Sequence, residues 1–188
     1  MNLEPYFGKY DIVYADPAWT YYGSQTKMGA AGKEYAASMT PEQINALPVA
    51  SLFRDPKRGA AFVWATCPLL PLAIDAGRAW GLHYRGVAFN WVKTTKDGAL
   101  IGAQGVPPTA VKPTSELCLL FTTCKKGRPF PLVSSKVRQV VPAPRGAHSE
   151  KPAQIRDSIV ECYGDRPRIE LFSRHIVAGW DRVGNELL

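Results

Sequence analysis

The stretch Asp11-Ile12-Val13-Tyr14-Ala15-Asp16-Pro17-Ala18-Trp19 decides how this chain is read. Its first part is apolar, β-branched and aromatic, which suits a short strand. It then delivers an acid, a proline and an indole to the strand's carboxyl end. In an open α/β sheet, that is where ligands bind.

Working outward, further strand-sized apolar segments lie at 60–66, 86–93 and 116–122, with weaker candidates at 137–141, 168–174 and 180–183. Helical patterns fall between some of them. Thr40-Pro41-Glu42-Gln43 is a capping signal, with Thr as N-cap, Pro at the first helical position and Gln at the third. It opens a helix over 41–47. Residues 68–80 carry Leu69, Leu72, Ala73, Ala76 and Trp80 on one stripe, closed by Gly81. Residues 151–163 carry Ile155, Ile159, Val160 and Tyr163 on one face and stop at Gly164. Strands alternating with helices predict an α/β fold with a largely parallel sheet. Residues 20–36, polar and small, and residues 95–113, rich in Gly and Pro, read as long loops, which in a compact domain usually serve function.

Length and composition set the frame. With 188 residues, 46% hydrophobic and 21% charged, the chain suits a single globular domain over 1–188. No apolar run approaches the ~18–20 residues of a membrane span. The first ten residues carry no signal-peptide pattern, so a cytoplasmic setting is expected. Cys67, Cys118, Cys124 and Cys162 form no CxxC pair, and no zinc site is expected. The net charge is +7, and residues 112–151 hold eight basic against two acidic side chains, +6 of that total. Such a cluster could neutralise phosphates in a salt-dependent, sequence-blind way, or form a solvated hairpin at Lys125-Lys126-Gly127-Arg128.

The chemistry available at Asp16-Pro17-Ala18-Trp19 is specific. An exocyclic amine on a purine is a poor nucleophile, because its lone pair is delocalised into the ring. Two acceptors that bind its two N–H groups favour a geometry with the lone pair facing a methyl donor. The Asp16 carboxylate and the Pro17 carbonyl are such a pair, stiffened because proline fixes its own φ and restricts the residue before it. Trp19 offers a stacking face for the base, and proximity would carry most of the catalysis. Taken alone, the tetrapeptide also reads as an ordinary turn beside a core-edge tryptophan.

The resemblance extends over nearly the whole chain. In order, it runs through YDIVYADPAW, YAASMTPEQINALP from Tyr35, FVWAT, NWVKTTKDG, SELCLLFTTCKKGRP, APRGAHSEKP, IELFSR and GWDRVGNE. On these elements the chain resembles the MT-A70 family of adenine-N6 methyltransferases. The resemblance implies a Rossmann-like methyltransferase sheet with helices on both faces and a permuted, beta-class motif order. It also implies S-adenosyl-L-methionine as methyl donor and nucleic acid as substrate, with DNA favoured over RNA. The catalytic positions it assigns are Asp16, Pro17 and Trp19. One departure stands out: the family's usual Asp-Pro-Pro-Trp has Ala18 in its third position here. Both acceptors survive, and a looser clamp is expected.

Other positions are carried over from the same resemblance. For the donor they are Asp16, Lys151, Phe172, Arg174, His175, Asn185 and Glu186. A sulfonium beside Asp16 would favour its ionised form. Read without the family, Lys151 is a solvated residue in the first turn of a helix. For the substrate they are Tyr22, Tyr35, Trp64, Arg145 and His148, although Trp64 suits core packing at least as well. Glu116 matches a family position near the pocket without a defined role. No metal is implied and no membrane contact is expected. With no room for a target-recognition domain, sequence choice falls to the basic loops, to a second copy or to a partner subunit. A non-catalytic nucleic-acid-binding subunit is the competing reading.

Overall fold

The computed structural model describes residues 1–19, 39–102, 111–146 and 150–184. Seven strands form one sheet: β1 (Ile12–Ala15), β2 (Ala60–Thr66), β3 (His83–Thr94), β4 (Ser115–Thr122), β5 (Val140–Pro144), β6 (Arg168–Leu171) and β7 (Asp181–Val183). Their order is β5-β3-β4-β2-β1-β6-β7, so β1 lies inside the sheet between β2 and β6. β4 runs antiparallel to both its neighbours, β2 and β3, and every other neighbouring pair is parallel. The sheet is therefore largely parallel, as the alternation of elements suggests. The carboxyl ends of β1, β2, β3 and β6 share one rim with the amino end of β4.

Both faces are covered. Side chains alternate along β1, so Val13 and Ala15 join one core while Ile12 and Tyr14 join the other. The first core packs under α1 (Pro41–Asn45) and α2 (Leu70–Ala79), and the second under α3 (Ala153–Tyr163). The Trp80 indole ties the first pair together by donating to the Ile44 carbonyl at 2.8 Å. α2 lies so close to β4 that a Cβ on Gly77 would fall 2.2 Å from a ring carbon of Phe121.

Local sequence explains the element ends. The capping box at Thr40 forms: its hydroxyl accepts from the Gln43 N–H, and the Gln43 side chain accepts from the Thr40 N–H at 2.9 Å. The helix it opens ends at Asn45, two residues short of the expected 47. The chain enters α2 through a 3-10 turn at Cys67–Leu69. α3 begins at Ala153, not at 151, because Pro152 is its N-cap residue, and Lys151 lies before the helix.

Three strands depart from expectation by three residues at a boundary: β3 begins at His83, ahead of the expected 86, and β5 and β6 also differ. β5 occupies Val140–Pro144, where 137–141 was expected. It is a sheet-edge strand, so Pro142 and Pro144 are tolerated and blunt that edge. β6 stops at Leu171, short of 174, because Phe172 turns into the left-handed region with φ 61°. No helix among the described residues is long and apolar enough to cross a membrane.

Candidate active site

β1 ends at Ala15, and Asp16 is the next residue on the carboxyl rim. The Trp19 N–H donates to the Pro17 carbonyl at 2.8 Å. Ala18 has a negative φ, so this bond closes an inverse γ-turn centred on Ala18. One lone pair of the Pro17 carbonyl is thus used within the turn and the other remains. The Trp19 indole N–H donates to the Trp64 carbonyl at 2.9 Å, fixing the turn to β2.

Four charged side chains from separate elements meet beside this turn. Lys151 Nζ donates to Asp16 Oδ2 at 2.7 Å and lies 3.4 Å from Glu116 Oε2. The other Glu116 oxygen, Oε1, accepts from Lys93 Nζ at 2.5 Å. The order Lys93–Glu116–Lys151–Asp16 alternates in sign, so each charge is offset by a neighbour. Lys151 is 7% exposed, which replaces the solvated helical position read from sequence with a buried cation between two carboxylates. Burial opposes the charge on Lys151, but Asp16 and Glu116 outweigh it and hold its pKa above the ordinary lysine value. Burial likewise opposes ionisation of Glu116, and Lys151 with Lys93 reverses the balance, so its pKa is lowered. Asp16 goes the other way. Burial raises its pKa, and Lys151 and Arg174 only partly offset this.

Aromatic rings support the lysines. Lys151 Nζ is 5.5 Å from the ring centroid of Trp64, and Lys93 Nζ is 5.2 Å from that of Trp91. Trp64 is 1% exposed and donates its indole N–H to the Tyr14 hydroxyl at 2.6 Å. Its ring belongs to the core under Lys151 and presents no open face for a base. Trp91 is equally buried and donates to the Ala143 carbonyl at 2.9 Å.

The neighbouring rim segment follows β6. Phe172 adopts φ 61°, a conformation rare for a bulky side chain and costly in strain. After this reversal the Ser173 N–H donates to the Val183 carbonyl at 3.2 Å, and the Ser173 hydroxyl donates to the His175 carbonyl at 2.8 Å. Gly184 lies against this turn so tightly that a Cβ there would fall 2.0 Å from the Ser173 carbonyl oxygen. Arg174 is near enough to Asp16 to favour its ionised form, whereas His175 is exposed.

The fold therefore brings Asp16, Pro17, Trp19 and Lys151 together, with Arg174 and the strained Phe172 turn on the same rim. Arg145 follows β5 and is exposed, its N–H donating to the Thr94 carbonyl at 3.2 Å. Tyr22, Tyr35, His148, Asn185 and Glu186 lie outside the described residues. Lys93 was not singled out from sequence, and Glu116 had a position without a role. Their contact follows from strand register and not from local sequence: Trp91 pairs with Glu116 across β3 and β4, which puts Lys93 on the adjacent same-face position. Among the described residues no cluster of His, Cys, Asp and Glu could hold a metal ion.

The donor set suits S-adenosyl-L-methionine. Its cationic sulfonium fits beside the negative Asp16 carboxylate, and its carboxylate fits the Arg174 cation on the same rim. The glycine-constrained turn at Gly184 leads directly into 185 and 186.

A largely parallel seven-stranded sheet with helices on both faces, carrying a carboxylate and an indole beyond its first strand, has the organisation of a Rossmann-like methyltransferase. The MT-A70 family model matches residues 10–186, and the chain belongs to that family. The chain is 30% identical over 197 residues to the type II methyltransferase M.MunI of a Mycoplasma species, covering 95% of this chain and 78% of that relative. It is 27% identical to the N6-methyladenosine RNA methyltransferase MTA1 of Pyricularia oryzae, again over 95% of this chain. It is 27% identical to the mouse N(6)-adenine-specific methyltransferase METTL4 over a similar span. It covers 47% of the fungal and 38% of the mouse relative, so it spans less than half of either.

Proposed function

We infer that this chain is an S-adenosyl-L-methionine-dependent methyltransferase that acts on the N6 amine of adenine in nucleic acid, with DNA the favoured polymer. The observation that carries the reading is Asp16, set beyond β1 in an aromatic-flanked turn and held at 2.7 Å by the buried Lys151. The resemblance to a type II methyltransferase over most of its length supports DNA.

When bound, the donor supplies an electrophilic methyl group. The chain's own residues do the rest. Lys151 takes Asp16 Oδ2, which leaves Oδ1 as the oxygen to accept from the target amine. The remaining lone pair of the Pro17 carbonyl is the second acceptor. Together they orient the nitrogen lone pair, and the Trp19 ring, fixed through Trp64, limits the plane of the base. An alkylated amine is strongly acidic, so a carboxylate suffices to accept its proton and no strong base is needed. Asp16 must be ionised for this work, and Lys151 and Arg174 favour that form against burial. A base in a duplex must first leave the stack, at a cost of a few kcal/mol. A second subunit, either another copy or a different chain, would assist that step.

The test uses labelled S-adenosyl-L-methionine with duplex DNA, single-stranded DNA and RNA in parallel, followed by digestion and identification of the modified nucleoside. N6-methyladenine from DNA is expected, lost in Asp16→Ala. Its absence from all three polymers overturns the reading. Product from RNA alone replaces the polymer while keeping the chemistry.

A further inference from the structure

The basic segment 112–151 does not form one surface. Because β4 runs against its neighbours, Glu116 at its start sits on the catalytic rim and Thr122 at its end sits on the opposite one. Eight residues of strand separate these rims by about 23 Å. Lys125, Lys126 and Arg128 therefore lie away from Asp16.

On that far rim they meet cations from other parts of the chain. The turn at 54–59, ahead of β2, is tied to the turn after β4 by Thr123 N–H to the Gly59 carbonyl at 3.1 Å and by Gly59 N–H to the Thr123 hydroxyl at 2.9 Å. Arg85, near the start of β3, donates to the carbonyls of Lys125 and Gly127, each at 2.9 Å. Its guanidinium clamps the turn that carries the two lysines. A cleft lined by Arg54, Asp55, Arg58, Phe130 and Arg166 continues the surface, three cations against one half-buried acid at its mouth, with Arg166 4.2 Å from the Phe130 ring centroid. The acid beneath it, Asp11, is bound by both Arg54 and Arg166. Lys57, Arg58, Lys125, Lys126 and Arg128 are exposed and have no ion pair among the described residues. On the catalytic rim, by comparison, the half-buried Lys93 and the buried Lys151 are paired with Glu116 and Asp16.

We propose that this far rim, built from the 54–59 turn, Arg85 and the 125–128 turn, is a second nucleic-acid surface that holds a phosphate backbone independently of the base-docking edge. The choice of nucleic acid as occupant rests on the methyltransferase reading. The surface itself rests on the hydrogen-bonded joining of three basic segments. Exposed, unpaired lysines and arginines in a row release counterions on binding phosphate and carry no base information. They hold the polymer while the catalytic rim samples adenines. An acidic protein is the other conceivable occupant, and the experiment separates the two.

The test is a triple charge reversal, Lys57→Glu, Lys125→Glu and Lys126→Glu, in the whole chain. Binding to a 30-base-pair duplex is followed by fluorescence anisotropy across a salt series without methyl donor. Lysine acetylation footprinting of the wild type is run with and without duplex. The duplex should protect lysines 57, 125 and 126. The variant should bind it at least about tenfold more weakly at low salt, with a log–log salt slope shallower by about 3. Donor affinity and thermal midpoint should be unchanged, which separates lost contact from lost fold. Unprotected lysines together with a wild-type salt slope overturn the proposal and leave the rim to an acidic protein. The binding readout needs no turnover. Protection without any N6-methyladenine product would thus refute the proposed activity and keep this surface, and product without protection would do the reverse.

Discussion

Lys151 Nζ and Asp16 Oδ2 lie 2.7 Å apart although 135 residues separate them in the chain. The pair is unequal. Lys151 has a second carboxylate, Glu116, and keeps its charge despite burial. Asp16 is left with its pKa raised, because burial outweighs the cations beside it and Glu116 adds repulsion. The arrangement favours the charged lysine and opposes the charged aspartate.

The first prediction concerns pH. Transfer needs the ionised Asp16, so kcat/KM should fall as pH falls through a pKa raised from the ordinary aspartate value. Lys151 lowers that pKa, so Lys151→Met should move the acid limb further towards alkaline pH, and Lys151→Arg should bring it partly back. The check is a pH–rate profile of the three proteins under donor saturation. An acid limb that does not move in Lys151→Met would separate Lys151 from Asp16 ionisation.

Glu116 should matter for stability in a pH-dependent way. Its folded pKa is lowered, so its contribution is present above the unfolded glutamate value and is lost as pH falls through the lower folded value. Glu116→Gln removes the charge between the buried Lys151 and the half-buried Lys93, and breaking such a network costs about 3 kcal/mol. Urea unfolding should show that deficit at neutral pH. It should shrink as pH falls from the unfolded glutamate value through the lowered folded value, where the wild-type carboxylate also protonates. A deficit independent of pH would indicate a packing effect.

What could be read from sequence was local or strung along one strand. Asp11–Trp19 declares a strand and the residues it delivers, and Thr40–Gln43 declares a helix start, because each is set by neighbours a few residues away. Lys151 was misleading for the same reason: its neighbours look helical, yet Pro152 places it before the helix and the fold buries it. The Lys93–Glu116 contact was illegible because it depends on β3–β4 register. The basic segment misled most. Contiguous in sequence, it is split between two rims by the reversed direction of one strand, β4.

Ala18 offers a direct test of the turn. It is the centre of an inverse γ-turn, whose φ of about −75° is close to the value proline imposes. Ala18→Pro should therefore fold normally and hold the Pro17 carbonyl more firmly. Turnover should be unchanged or higher, and the thermal midpoint should rise by an amount consistent with about 0.4–1 kcal/mol from the stiffer unfolded chain. Steady-state kinetics and calorimetry on the single variant decide it. A large loss of activity would mean that Ala18 needs an N–H or a ψ that proline denies.

Gly184 tests the strained rim segment that follows β6. The position is set by space, since a methyl group there would fall 2.0 Å from the Ser173 carbonyl oxygen and 3.0 Å from the Ser173 nitrogen. These are backbone atoms and cannot rotate away. Gly184→Ala must displace either the Phe172–Ser173 turn or the chain that leads into residues 185 and 186. The bond from Ser173 N–H to the Val183 carbonyl would go with it. Backbone strain of this kind costs about 1–3 kcal/mol, so donor affinity by calorimetry should weaken by about tenfold or more. The effect should be local, because β6 and β1 remain paired and both cores are untouched. Duplex binding should therefore stay near wild type while donor binding falls. Equal loss of both would show that the turn supports the whole sheet and not the donor site alone.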